Sequence, residues 1–193
     1  MVFKHQAELK EAISIIDRMQ RRDFLKFSSA AIAATAAVGI AGNAYATTLK
    51  SVNVSETKIF LRVAQVVLPV EGTTLAPWNP DVLLQTLDGA LLGTMEPHIL
   101  AGLKGGLGYF NEGPKGKFGQ NFVDLDTPKA TQFLDEWGNS NEIPHRALAM
   151  GLKKLVQLSY WANPASWEPL GYDGPISKRQ GLKSLGNAPF PIK

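Results

Sequence analysis

The chain has no cysteine among its 193 residues. That excludes a disulfide, a thiolate nucleophile, a cysteine-ligated zinc or iron–sulfur cluster, and the Cys-x-x-Cys-His attachment of a haem. Excess charge of one sign is also scarce. Twenty basic groups face 17 acidic ones, a net +3. Residues 1–46 hold six of the bases (Lys4, Lys10, Arg18, Arg21, Arg22, Lys26) and four of the acids (Glu8, Glu11, Asp17, Asp23), so 47–193 carry only +1. A pI near 9.1 is therefore a small imbalance and not an electrostatic footprint for nucleic acid.

Motifs of chemistry are missing as well. Gly108 and Gly113 have the glycine spacing of a phosphate loop, but Pro114 follows in place of lysine, and the Ser/Thr is lacking too. No G-x-G-x-x-G follows a strand, and no G-x-S-x-G occurs. After residue 46 there are two histidines, His98 and His145. Glu142-Ile143-Pro144-His145 has the Glu-x-x-His spacing of di-iron bundles, but such a site needs a second copy and two more glutamates. Glu96-Pro97-His98 has the wrong spacing to be that copy. Near a helix N-terminus Glu142 reads better as a capping carboxylate. Asp124, Asp126, Asp135 and Glu136 read as solvated acids at helix ends or on a polar face. No catalytic, cofactor-binding or metal residue is assigned to this chain.

What is present begins with Gln20-Arg21-Arg22-Asp23-Phe24-Leu25-Lys26, followed by an uncharged stretch from Phe27 to Leu49. Arg21, Arg22, Phe24, Leu25 and Lys26 resemble a twin-arginine (Tat) export signal, with Gln20 in place of the usual hydroxyl residue. The apolar stretch 28–40 is rich in alanine and poor in leucine, as such signals are, which argues against a stable membrane span. Ala44-Tyr45-Ala46 supplies a small-x-small cleavage site, with Ala44 and Ala46 as its small residues and cutting expected after Ala46. Whether the signal is cleaved or kept as an anchor stays open. Residues 1–18 are long for an n-region, with Leu9, Ile13 and Ile16 at helical spacing. Translation from Met19 is the expectation, with a genuine extended n-region as the alternative. The Tat route carries folded proteins, yet this chain has no obvious means of holding a cofactor.

The apolar fraction, 45%, is ordinary for a globular protein, and residues 47–175 suffice for one compact domain. Glu56–Leu68 carries a helical stripe (Ile59, Phe60, Val63, Val66, Val67) with Ser55 as N-cap and Pro69 as stop, though its β-branched content leaves a strand open. Asn79-Pro80 opens a helix to about Leu92, with Val82, Leu83, Leu87, Ala90 and Leu91 inward. Thr94–Tyr109 is the next. Its glycines imply close packing or an early end. Asn111–Gln120 reads as a polar loop. Thr127-Pro128 starts a helix ending at Gly138, and Asn141 to Trp161 is apolar on more than one side, as a central helix would be. The expectation is an all-α fold: a small bundle of about five helices, preceded by the signal peptide of 1–46. An extended basic C-terminal tail, 176–193, ends it as a partner-bound arm or a free end.

The segment Leu155-Val156-Gln157-Leu158-Ser159-Tyr160-Trp161-Ala162-Asn163-Pro164-Ala165-Ser166-Trp167-Glu168-Pro169-Leu170-Gly171-Tyr172-Asp173-Gly174-Pro175 resembles the ending of the gluconate 2-dehydrogenase subunit 3 family. Members close with an aromatic pair, a turn before a tryptophan, then Leu/Ile-Gly-Tyr-x-Gly-Pro. Phe122-Val123-Asp124-Leu125-Asp126 resembles that family too. The match covers most of 55–175 in layout, and 155–175 is its specific part. The resemblance implies a non-catalytic accessory subunit that escorts a folded FAD-dependent glucose–methanol–choline oxidoreductase through the Tat translocase. FAD and haem c would then reside in partners, the flavoprotein large subunit and a multihaem cytochrome c. The complex would be periplasmic and associated with the inner membrane. Tyr160, Trp161, Trp167 and Tyr172 are the expected partner-interface residues, since aromatics are favoured anchors. Trp161 is expected inside the domain, and Trp167 or Tyr172 nearer the partner. The alternatives are a stand-alone periplasmic helical enzyme or cofactor-binding protein, and a lone binding or structural protein.

Overall fold

Asn53 starts the first helix, and its capping box is complete. Its Oδ1 accepts the Glu56 N–H (3.0 Å) and Glu56 Oε2 accepts the Asn53 N–H (2.8 Å), so two donors that the helix cannot satisfy internally are paired. Helix α1, Val54–Val67, thus begins two residues before the expected start. Asn53 caps it, not Ser55, because the Asn-x-x-Glu pair satisfies both ends of the box. Ile59, Phe60, Val63 and Ala64 form its buried face.

The structure is a computed structural model describing residues 49–182, and these are all-α with no strand among them. Helix α2, Pro80–Thr86, is capped by Asn79, whose Oδ1 accepts from the Asp81 and Val82 N–H groups. It does not run regularly to Leu92 as expected. A π-helical turn, Leu87–Leu91, and a 3-10 turn, Leu92–Thr94, continue it. The local cause is Asp88, a buried acid whose carboxylate accepts the Lys50 N–H (2.9 Å) and the Ser51 N–H (2.7 Å). Widening the turn brings this side chain inward, as such bulges do when one residue is held out of register.

Helix α3, Pro97–Glu112, starts later and ends later than Thr94–Tyr109. Its glycines do not end it early, and Gly102 and Gly106 lie on its buried side. The expected polar loop is half helical, since α4, Lys115–Phe118, follows directly and closes at Gly119 in the left-handed region. A 3-10 turn, Phe122–Asp124, leads to α5, Thr127–Gly138, which Asp126 caps by accepting the Lys129 N–H (2.9 Å).

Helix α6, Ile143–Trp161, packs against α1, α2, α3 and α5 and is the centre of the bundle. Leu148, Leu152, Leu155 and Val156 are at most 1% exposed. Burying each leucine contributes about 1.5–3 kcal/mol. Met150, an apolar residue of the same helix, points outward at 55% exposure. Beside α6 the rings of Phe110, Phe122, Phe133 and Trp137 pack edge-on or tilted at centroid distances of 4.7–5.8 Å, the arrangement that the aromatic quadrupole favours.

Candidate functional site

The aromatic ending begins inside the core. Tyr160 is 4% exposed, and its hydroxyl donates to the Ala76 carbonyl at 2.8 Å. Burial raises its pKa above the ordinary phenol value. It therefore serves this domain's own packing. Trp161 lies edge-on to Tyr160 at 4.8 Å and is half-buried against the core.

Beyond α6 the chain turns twice. Asn163 Oδ1 accepts the Ala165 N–H, which starts the 3-10 turn Pro164–Ser166. The buried Ser166 hydroxyl donates back to the Asn163 carbonyl at 2.7 Å. A second 3-10 turn, Glu168–Leu170, ends at Gly171 in the left-handed region. Trp167 locks both turns. Its Nε1–H donates to the Trp161 carbonyl at 2.7 Å, and its own carbonyl accepts the Leu170 and Tyr172 N–H groups. Gly174, at φ +94°, lies against the Trp167 ring so closely that a Cβ there would sit 3.2 Å from Cζ3. The positive φ favours glycine there, and a Cβ would in addition push the indole back by a few tenths of an ångström. Tyr172 then packs edge-on to Trp167 at 5.3 Å and remains 47% exposed.

The result is a rigid turn with an apolar outer side. Leu170, Ile176 and Leu182 are 53%, 64% and 59% exposed. Helix α7, Ile176–Arg179, makes the start of the 176–193 tail a helical turn where an extended arm was expected. Asp173 pairs with its Arg179 at 3.5 Å. A shallow cleft with about 10 Å³ of internal room, lined by Ala76, Trp78, Asn79, Tyr160 and Ser166, lies beside this ending. It is too small to hold a ligand larger than a water.

The other candidates do not converge. His145 stacks on Trp137 at 4.1 Å and is 2.7 Å from the Tyr109 hydroxyl through Nε2 and 3.4 Å from Ser140 Oγ through Nδ1. Both ring nitrogens thus face hydroxyls. Glu142 stands at the N-cap of α6 but its side chain makes no capping bond, and Ser140 Oγ accepts the Glu142 N–H in its place. His98 and Glu96 form an exposed pair at 3.5 Å. Among the described residues no three His, Asp or Glu side chains are grouped as a metal site. Asp126 and Glu136 have carboxyls held below their ordinary pKa, by hydrogen bonds from Lys129 in the first case and from Lys117 and Gln132 in the second. Both are solvent-exposed surface acids.

Arg21, Arg22, Phe24, Leu25, Lys26, Ala44 and Ala46 lie outside the described residues, and no helix among those described is long and apolar enough to cross a membrane. The buried Asp88 carries no motif that marks it in the sequence. Nor does Lys104, whose Nζ donates to the Ser51 carbonyl (3.0 Å) and pairs with Glu56 (3.3 Å). Asp88 and Lys104 together fix where the chain enters the domain. No protein-family model matches the chain, and neither a curated protein nor a solved structure matches it.

Proposed function

We propose that this chain is the non-catalytic small subunit of a periplasmic FAD-dependent dehydrogenase of the glucose–methanol–choline class. It escorts the folded flavoprotein through the Tat pathway and stabilises it there. FAD belongs to the large subunit in this reading, and haem c to a cytochrome partner.

The observation that carries the proposal is the construction of the 160–176 ending. Trp167 is tied down from behind, by a hydrogen bond to Trp161 and by contact with Gly174, while Leu170, Tyr172 and Ile176 are held outward. A preorganised apolar turn loses little entropy when a partner covers it. The leader at Arg21-Arg22 supplies the route, and the resemblance of 155–175 supplies the class of partner.

The test is co-expression with a flavoprotein of the glucose–methanol–choline class that lacks a signal of its own. Replacing Arg21 and Arg22 by lysine should leave the flavoprotein in the cytoplasm, and its arrival in the periplasm would refute the escort role. Leu170→Ala with Tyr172→Ala should weaken co-purification by about 1–2 kcal/mol, roughly five- to thirtyfold. Unchanged recovery would remove the turn from the interface.

A further inference from the structure

The domain takes hold of its chain at once. Leu49 packs against the core, and Ser51 and Val52 are only 8% and 7% exposed. Side chains from three elements clamp this entry. Asp88, on the π-helical turn, accepts the Lys50 and Ser51 N–H groups at 2.9 and 2.7 Å. Lys104, on α3, donates to the Ser51 carbonyl at 3.0 Å and pairs with Glu56 of α1 at 3.3 Å. The turn that delivers Asp88 is itself closely fitted, since a Cβ on Gly93 would lie 2.9 Å from the Asp88 carbonyl oxygen. Regular helix is given up here, and π-turns of this kind collect at functional places.

The expected cleavage bond, Ala46–Thr47, lies outside the described residues, but the chain itself limits how far it stands from the clamp. Thr47, Thr48 and Leu49 separate it from the fixed Lys50 N–H. Fully extended, they span at most about 10–11 Å. Leu49 is already seated on the core, which leaves Thr47 and Thr48 as the spacer. A peptidase cuts exposed, unfolded segments, and a held segment must open before it is cut. A chain that takes the Tat route arrives folded, with this entry closed.

We propose that the entry clamp holds back removal of the leader, so that the exported protein keeps it. The step held back is hydrolysis: water adds across the Ala46–Thr47 peptide bond and leaves a carboxylate on Ala46 and an amine on Thr47. It proceeds when Asp88 and Lys104 release Lys50 and Ser51. The proposal rests on the accessory-subunit reading, which supplies a Tat leader on a folded chain, and decides between the two fates of that leader. A staple that served stability alone would make no demand on the length of chain before Leu49. The clamp does, and that separates the two.

The experiment co-expresses the full chain with the flavoprotein and reads the intact mass of the chain recovered after export. The parent should retain its leader. A Gly-Ser-Gly-Ser-Gly-Ser spacer inserted between Thr48 and Leu49 leaves the clamp untouched, and the chain beginning at Thr47 should then predominate. With purified precursor in detergent micelles, signal peptidase should cut the spacer variant at least about tenfold faster than the parent. Asp88→Asn combined with Lys104→Met, folded by far-UV dichroism, should also be cut faster. A parent cut after Ala46, a spacer variant that stays whole, or a folded double variant cut no faster than the parent overturns the clamp while the accessory-subunit reading stands. Flavoprotein exported in the absence of this chain overturns that reading, whatever the fate of the leader.

Discussion

Gly113 terminates α3 with ordinary right-handed backbone angles, φ −50° and ψ −41°, so alanine would suit the backbone. Its surroundings would not. A Cβ built there lies 2.4 Å from Trp137 Cζ2 and 2.9 Å from Phe133 Cζ. Carbon atoms in contact sit about 3.5–4.0 Å apart, so the indole must retreat by about 1 Å. It has little room, because Phe133 packs on it at 4.7 Å, Phe110 at 5.5 Å and His145 at 4.1 Å. Overpacking of this kind costs about 1–3 kcal/mol, against a helix-propensity gain of at most about 1 kcal/mol. Gly113→Ala should therefore lose about 1–2 kcal/mol net. Urea unfolding of the purified protein, followed by far-UV dichroism, should show a midpoint lower by about 0.5–1 M. Gly108 is the control. It lies within α3 with nothing within 4 Å of its would-be Cβ, and Gly108→Ala should stabilise by about 0.5–1 kcal/mol. A Gly113→Ala variant as stable as the parent, or shifted in the same direction as Gly108→Ala, would refute the packing argument.

Asp88→Ala removes the acceptor of two N–H groups, those of Lys50 and Ser51. It should cost about 2–3 kcal/mol, since orphaned buried donors lose their full solvation, and hydrogen exchange at Ser51 should quicken. A stability equal to the parent would mean that the entry to the domain is held by other contacts. Tyr160 makes a prediction about alkaline pH. Burial raises its folded pKa, so the unfolded chain loses the phenol proton first. Its contribution is complete below the unfolded value of about 10 and is lost as pH rises toward the folded one. Unfolding midpoints should fall more steeply above about pH 10 in the parent than in Tyr160→Phe, and parallel curves would contradict the burial argument.

Much of the local structure was legible before any coordinates. Asn79-Pro80 starts a helix as expected, with Asn79 as the cap and proline at the first helical position, and the Thr127-Pro128 helix starts one residue earlier in register, with Asp126 as the cap and proline at the second position. Asn53-x-x-Glu56 is itself a capping-box pattern, and it outcompetes Ser55 as the cap two residues on. The irregular turns after Thr86 were not legible, because nothing in Leu87-Asp88-Gly89-Ala90-Leu91 announces a wide turn. The cause lies 37 and 38 residues away, at Ser51 and Lys50.

The same division applies to the functional residues. The leader motif and the 155–175 ending are patterns of order and spacing, so the sequence alone carries them. Which aromatic residue faces inward is a matter of tertiary geometry. Tyr160 and Tyr172 are both tyrosines in one short stretch, yet one donates into the core and the other stands at the surface. Composition and periodicity determined the all-α class and the start at Asn79-Pro80, because caps and apolar spacing act over a few residues. Long-range contacts decided the Asp88 turn and the place of Tyr160, because those depend on what another part of the chain brings alongside.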